Sequence, residues 1–178
     1  DEVVTVPALH DCVVAKHKKY TEIRKLGLVA TKSLHSADEL EGVSEGESLL
    51  AKLIEPYQGK FVYLDIWGSW CGPCMAALKE SHVLKEALKD HDIIYLYLAN
   101  NTSDEDWKTI INAYGLTGDN IVHYNLPEQQ QRAIEEFLQV DGFPFYRLFD
   151  KNGKLYDVDA DARHVENMQH FFETVDGK

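Results

Sequence analysis

Two cysteines separated by Gly-Pro, Cys71-Gly72-Pro73-Cys74, lie where an apolar run hands over to a helical pattern. The run is Phe61–Trp67, apolar on both alternating faces apart from Asp65, as expected of a central strand covered on both sides. Met75 to Leu88 has helical spacing, with Leu78, His82, Lys85 and Leu88 on one repeat and Ala77, Val83, Leu84 and Ala87 adding apolar bulk. The first turn of such a helix carries unpaired N–H groups and the positive end of the macrodipole, and both favour a thiolate. Cys71 is therefore expected at the helix N-terminus, exposed to solvent. Cys74 is expected one turn further in on the same side, close enough to close a small disulfide ring. Pro73 gives up only an N–H that has no helical partner.

Lowering a Cys pKa from about 8.5 to about 7 raises the thiolate fraction at neutral pH roughly fifteen-fold, while falling nucleophilicity removes roughly five-fold of that. The net gain in attack is only about three-fold. A second benefit falls on Cys71 as the leaving group when a thiolate attacks the substrate-side sulfur of its mixed disulfide, so the motif suits reversible exchange more than attack alone. Zinc fits poorly, because a structural site wants four ligands and there is no second Cys pair; His10 with Cys12 is a weak substitute. Covalent haem attachment is excluded by Met75, where that motif requires His. No metal and no cofactor is expected.

A chain of 178 residues is sized for one domain with an appendage, and buries enough surface to fold without disulfide staples. Its 18 basic and 30 acidic residues leave a net charge of −12, which phosphate backbones and anionic lipid repel, so no nucleic-acid partner is expected. No apolar run approaches the roughly 18 residues of a membrane span. The first residue is Asp1 and not Met, so a processed chain or an excised piece is expected and the compartment stays open on that ground.

Leu9 to about His35 mixes Val13, Tyr20, Ile23 and Leu26–Leu28 with Lys and Arg, and reads as a helix or two. Ser36–Glu47, acidic and bearing Gly42 and Gly46, reads as a joint, giving an N-terminal helical extension over 1–47 and a main domain over 48–178. The main domain reads as a short helix Ser48–Ile54 stopped by Pro56, then the strand and helix around the cysteines, then a second buried strand Ile93–Leu98. Thr102-Ser103-Asp104-Glu105 has the spacing of a capping box for a helix through Trp107, Ile110, Ile111 and Tyr114, closed by Gly115. A short strand Ile121–Tyr124 and a helix from Pro127 to about Leu138 follow. Last come a hairpin, Phe145–Asp150 with Lys154–Asp157, and a helix of about Arg163–Val175 with Val165, Met168, Phe171, Phe172 and Val175 on one side. This order predicts an α/β sheet with parallel strands first and an antiparallel hairpin last.

Trp70-Cys71-Gly72-Pro73-Cys74, preceded by Asp65-Ile66-Trp67 and followed by Gly142-Phe143-Pro144, resembles the thioredoxin superfamily. Pro144 stands 70 positions after Cys74, and this longer spacing resembles the extracytoplasmic TlpA/ResA-like branch, over about Ser48 to Val175. The resemblance implies a thioredoxin-like fold, a central mixed sheet flanked by helices, with a helical insertion before a cis-Pro and an N-terminal helical extension. It implies a redox disulfide between Cys71 and Cys74, with Asp65 taking the proton of Cys74. It also implies a cis Phe143–Pro144 bond against the thiols, with the Phe143 backbone pairing with an extended substrate. Trp70, Gly72, Pro73, Phe143 and Pro144 would line the substrate surface, and Trp67 fits either that rim or the core. An Asp in so apolar a strand should have a raised pKa, although a backbone-bonded Asp and a Pro opening an edge strand are the plain alternatives. Phe143 is bulkier than residues common before this Pro and narrows the groove. The lysine that thioredoxins keep near that Asp has no evident counterpart; the second strand offers Leu96 and Tyr97.

The expected function is that of a thiol–disulfide oxidoreductase acting on protein disulfides as a reductant. A monomer is expected, fed by a membrane-bound electron donor, in a periplasmic or otherwise extracytoplasmic bacterial location compatible with a membrane anchor in a longer chain. A protein-binding module with incidental redox activity, and a disulfide isomerase, remain as alternatives. Asp157, Asp159 and Asp161 alternate like a calcium loop, but Ala162 and Met168 replace its Gly and Glu, so calcium is rejected. Asn100-Asn101-Thr102-Ser103 holds two overlapping glycosylation sequons, meaningful only in a eukaryotic secreted protein. The eight His show no metal spacing, His82 reads as a surface or half-buried residue, and Cys12 as a passive thiol.

Overall fold

The computed structural model describes residues 33–175, so the helices expected before Ser33, with Cys12 among them, lie outside the described residues. Five strands form one sheet: β1 (Phe61–Trp67), β2 (Ile93–Ala99), β3 (Ile121–Tyr124), β4 (Phe145–Phe149) and β5 (Leu155–Tyr156), in the order β3-β2-β1-β4-β5. β1, β2 and β3 run parallel, and β4 and β5 run antiparallel to their neighbours. All seven residues of β1 and all seven of β2 are buried, which is why both read as unbroken apolar runs. The helices are α1 (Gly46–Ile54), α2 (Gly72–Ala87), α3 (Asp104–Ala113), α4 (Glu128–Leu138) and α5 (Val165–Val175).

Side-chain alternation along β1 divides the core in two. Phe61, Tyr63 and Trp67 face one layer, packed with Leu78 and Leu84 of α2, Trp107 and Ile110 of α3, and Met168 and Phe172 of α5. Val62, Leu64 and Ile66 face the other, packed with Leu49, Leu50 and Leu53 of α1 and Ile134 and Leu138 of α4. Asp65 shares the parity of Tyr63 and Trp67, so the strand aims its only charge at the layer that also contains Cys71 and Cys74.

The ends of elements differ from the sequence expectation for identifiable reasons. α1 opens at Gly46, where any side chain would collide with the backbone carbonyl of Ala133 in α4. A single 3-10 turn, Glu55–Tyr57, accommodates Pro56 after α1. α2 opens at Gly72, three residues before Met75, because Cys71 itself is the N-cap and the first turn tolerates Gly and Pro. Ser103, one residue after the Thr expected to cap α3, takes that role by accepting the Asp106 N–H, since the Thr102 hydroxyl is engaged elsewhere. Gly115, at φ +62°, closes α3 as expected, with Leu116 N–H returning to Ile111 O at 2.9 Å. Pro127 is the N-cap of α4 and lies outside its first turn. α5 opens at Val165; Met168 and Phe172 are its buried residues, whereas Val175 is exposed. Val83 is exposed as well, so the apolar stripe of α2 is narrower than its composition suggested. At the near end of the stretch read as helical, Leu34 pairs with His123 as a parallel bridge, extending the sheet past β3.

Candidate active site

The segment between β1 and α2 is held by hydrogen bonds that leave it little freedom. Cys71 N–H donates to Gly68 O at 3.0 Å, and Ser69 N–H donates to Thr102 Oγ1 at 2.9 Å. Thr102 Oγ1 in turn donates to Asn100 O at 2.9 Å, and the same carbonyl accepts the Trp70 indole N–H at 3.2 Å. Gly68 is required by this closeness, because a side chain there would run into the Trp70 indole. Thr102 is thus a latch on the loop before the cysteines.

Cys71 and Cys74 form a disulfide, with Cα atoms 5.2 Å apart. Cys74 N–H donates to Cys71 Sγ at 3.1 Å, so the outer sulfur accepts a hydrogen bond from the otherwise unpaired first turn of α2. Cys71 is only 4% exposed, against the expectation of an exposed sulfur. An N-cap side chain folds back over its own helix end, and here it points at Cys74 N–H and not at solvent. Gly72 and Pro73 are the exposed pair of that turn. Trp70 projects beside it, 56% exposed, with its ring centroid 5.3 Å from that of Phe143 in an edge-on arrangement. Trp67 is fully buried and belongs to the core, not the rim.

The Phe143–Pro144 peptide bond is cis, as the resemblance implied, and it leads directly into β4. Phe143 packs partly buried against both core layers, so its ring bridges the edge of the sheet and the Trp70 side of the cysteine loop.

Asp65 lies in a single cross-strand row. Its register partners are Tyr97 on β2 and Tyr146 on β4, and Tyr97 pairs onward with His123 on β3. The carboxyl is 4% exposed, and Oδ1 has no hydrogen-bond partner among the described residues. Burial pushes its pKa up to about 8, with the Lys85 ammonium opposing and the Asp161 carboxylate adding to the rise. Lys85 comes from α2, with its Nζ 5.4 Å from the Tyr97 ring centroid and 5.9 Å from that of Tyr95. Burial lowers its pKa to about 8 while Asp65 opposes the fall. A lysine facing the buried carboxyl is therefore present, supplied by the helix and not by the second strand. Its position on the Leu78–Leu88 stripe was the signal: a cation on the buried face of a helix wants a counter-charge. His123, fully buried and stacked on Tyr97 at 4.7 Å, donates its Nε2–H to Leu116 O and is held neutral by burial, with its pKa lowered to about 3.

A family model described as thioredoxin-like matches residues 59–155, more than half of the chain. The chain belongs to the thioredoxin-like family. Thiol-disulfide oxidoreductase ResA of Bacillus thuringiensis is 24% identical over 122 residues, covering 68% of this chain and 67% of that protein. The solution structure of a thiol:disulfide interchange protein from Bacteroides sp. superposes with a TM-score of 0.56 at 20% identity, covering 70% of this chain and 78% of the other. The crystal structure of an exposed lipoprotein thioredoxin from Streptococcus pneumoniae does so with a TM-score of 0.50 at 25% identity, covering 68% and 90%. In this thioredoxin-like protein, β2, α3, β3 and α4 occupy the interval between the cysteines and the cis-Pro, so the helical insertion belongs to the domain itself. Among the described residues, no group of three or more His, Cys, Asp or Glu is arranged to hold a metal ion. The alternating aspartates instead serve the turn before α5: Asp159 accepts from His164 and Asn167, and Asp161 pairs with Arg163.

Proposed function

We propose that the protein is a thiol–disulfide oxidoreductase that reduces cystines in other polypeptides. The Cys71 thiolate attacks one sulfur of the substrate cystine, forming a mixed disulfide and releasing the partner sulfur as a thiolate. The Asp65 carboxylate takes the Cys74 proton, and the Cys74 thiolate displaces the second substrate thiolate from Cys71. Two electrons pass to the substrate, and the enzyme is left as the Cys71–Cys74 disulfide, the form seen here. The observation that carries this reading is the placement of that disulfide at the head of α2, in the core layer to which Asp65 also points. Trp70, Gly72, Pro73, Phe143 and Pro144 form the surface that meets the substrate, and the Phe143 backbone offers an edge for an extended segment. The domain acts as a monomer. The relative described as an exposed lipoprotein supports an extracytoplasmic, periplasmic location, where a membrane-held dithiol donor would regenerate the reduced enzyme.

Equilibration with a dithiol buffer tests the direction of flow. The Cys71–Cys74 couple is expected near −270 mV, roughly the potential of a reducing thioredoxin. A value above about −180 mV would turn the protein into an oxidant or isomerase.

Lys85 is a positioning residue in this scheme, because its ammonium holds the Asp65 carboxyl lower than burial alone would. Removing it in Lys85→Met is expected to move the rising limb of the resolution rate upward by about one pH unit. The decay of a preformed mixed disulfide on Cys71, followed from pH 6 to 10, reads that limb. An unshifted profile removes Lys85 from the proton path.

A further inference from the structure

Beyond the carboxyl ends of β2 and β3, where open α/β sheets commonly receive ligands, lies a polar cleft of about 620 Å³. Asn100, Thr102, Asn125, Gln131, Arg132 and Glu135 line it. It shares its wall with the cysteine loop: Asn100 O holds the Trp70 indole, and Thr102 Oγ1 holds Ser69 N–H. Two amide groups, Asn100 Nδ2 and Gln131 Nε2, donate to the same Glu135 oxygen, each at 2.7 Å. That arrangement fixes the carboxylate and leaves Gln131 Oε1 as an acceptor. Gln131 is 3% exposed, and its Oε1 has no hydrogen-bond partner among the described residues. A buried acceptor left in this state is destabilising unless a donor reaches it.

The chemistry of the occupant follows. The unmet group is an acceptor, and the Glu135 carboxylate lies beside it, so an N–H-rich cation fits and an anion does not. Arg132, the cation on the rim, turns its Nε–H to Glu136 at 2.8 Å. An incoming guanidinium offers a rigid fork with one N–H for Gln131 Oε1 and another for the Glu135 carboxylate. We propose that this cleft is a recognition subsite for an arginine or lysine side chain of the polypeptide whose cystine meets Cys71. The inference deepens the oxidoreductase reading and rests on it for the identity of the partner.

The probes are two synthetic peptides, capped at both ends, each with one cysteine held as a mixed disulfide with 2-mercaptoethanol. One carries arginine three residues from the cysteine and the other carries citrulline there, which keeps the shape and removes the charge. Cysteine-to-serine versions of both measure binding by calorimetry without any redox step. The arginine peptide is expected to bind, and to be reduced, about tenfold better than its citrulline counterpart. In Glu135→Gln and in Gln131→Leu the arginine-to-citrulline ratio is expected to fall to about one. Each ratio is internal to one variant, so a general loss of activity cancels. Glu80→Gln removes the same charge outside the cleft and is expected to keep the tenfold ratio. Since the whole chain carries −12, attraction of any cation to its surface is the rival explanation. A preference that persists in Glu135→Gln and Gln131→Leu, or a wild-type ratio near one in binding, overturns the subsite. Tenfold preference in binding with neither peptide reduced upholds the subsite and overturns the oxidoreductase reading.

Discussion

Replacing Cys74 with serine is expected to trap polypeptide substrates on Cys71 as stable mixed disulfides, whereas replacing Cys71 with serine abolishes cystine reduction. The asymmetry follows from the geometry of the pair. Cys71 stands at the N-cap, where its sulfur accepts the Cys74 N–H and borders the exposed Trp70 rim. Cys74 is fully buried one turn inside, so it reaches only a disulfide already formed on its neighbour. Loss of Cys71 leaves no accessible thiol in the motif, and turnover with insulin should fall by at least about 10³-fold, the order seen when an enzyme loses its nucleophile. Loss of Cys74 should leave the first attack intact, yielding one equivalent of bound substrate per enzyme that dithiothreitol releases. A Cys12→Ser background makes the adduct assignable on a non-reducing gel. If Cys71→Ser retained cystine reduction, or if Cys74→Ser accumulated no adduct, the order of the two sulfurs proposed here would be wrong.

Much of the fold was legible because its central strands are buried on both faces. β1 and β3 begin and end where the apolar runs Phe61–Trp67 and Ile121–Tyr124 do, since nothing polar but Asp65 and His123 interrupts them. The helix ends were less legible, for local reasons. Gly72 and Pro73 are poor helix residues by intrinsic preference, yet both belong to α2 because a first turn needs neither their side chains nor their N–H groups. Thr102 has the spacing of a cap, but its hydroxyl is taken by Ser69 N–H from 33 residues away, a competition no local pattern records. The thiol pair, Asp65 and Pro144 were visible as single residues, and what escaped was whatever depends on elements crossing. The meeting of Lys85 with Asp65 requires that α2 lie over β1, and the Tyr146–Asp65–Tyr97–His123 row requires strand register. The burial of Cys71 is of the same kind. Helix-terminus electrostatics foretold its chemical setting and said nothing of how its side chain folds over the first turn.

Asp65→Asn is expected to make the protein more stable and a slower enzyme, and the two effects have one cause. The carboxyl ionises near its ordinary value of 3.8 in the unfolded chain but near 8 in the folded one. Its contribution is therefore fully present below about pH 3.8 and is lost as pH climbs through 8, because the unfolded state sheds its proton first. Lys85 does not blur this window, since its own pKa near 8 leaves it charged in both states until the upper edge. The asparagine variant does not ionise and escapes the loss. It should match the wild type near pH 4 and exceed it by about 2–4 kcal/mol at pH 7, read from urea unfolding at each pH. Resolution of the mixed disulfide should move the other way. With a pKa near 8 only a minority of Asp65 is ionised at pH 7, yet that fraction supplies the base that Cys74 needs. Removing it should slow the release of reduced substrate by about 10- to 100-fold and erase the rise in rate through pH 8. The first attack by Cys71 does not use this base and should keep its rate in a single-turnover measurement. An asparagine variant whose stability gain is the same at pH 4 and pH 7 would mean that the carboxyl is not held neutral by burial. One that resolves mixed disulfides at the wild-type rate would mean that Cys74 gives its proton to another group.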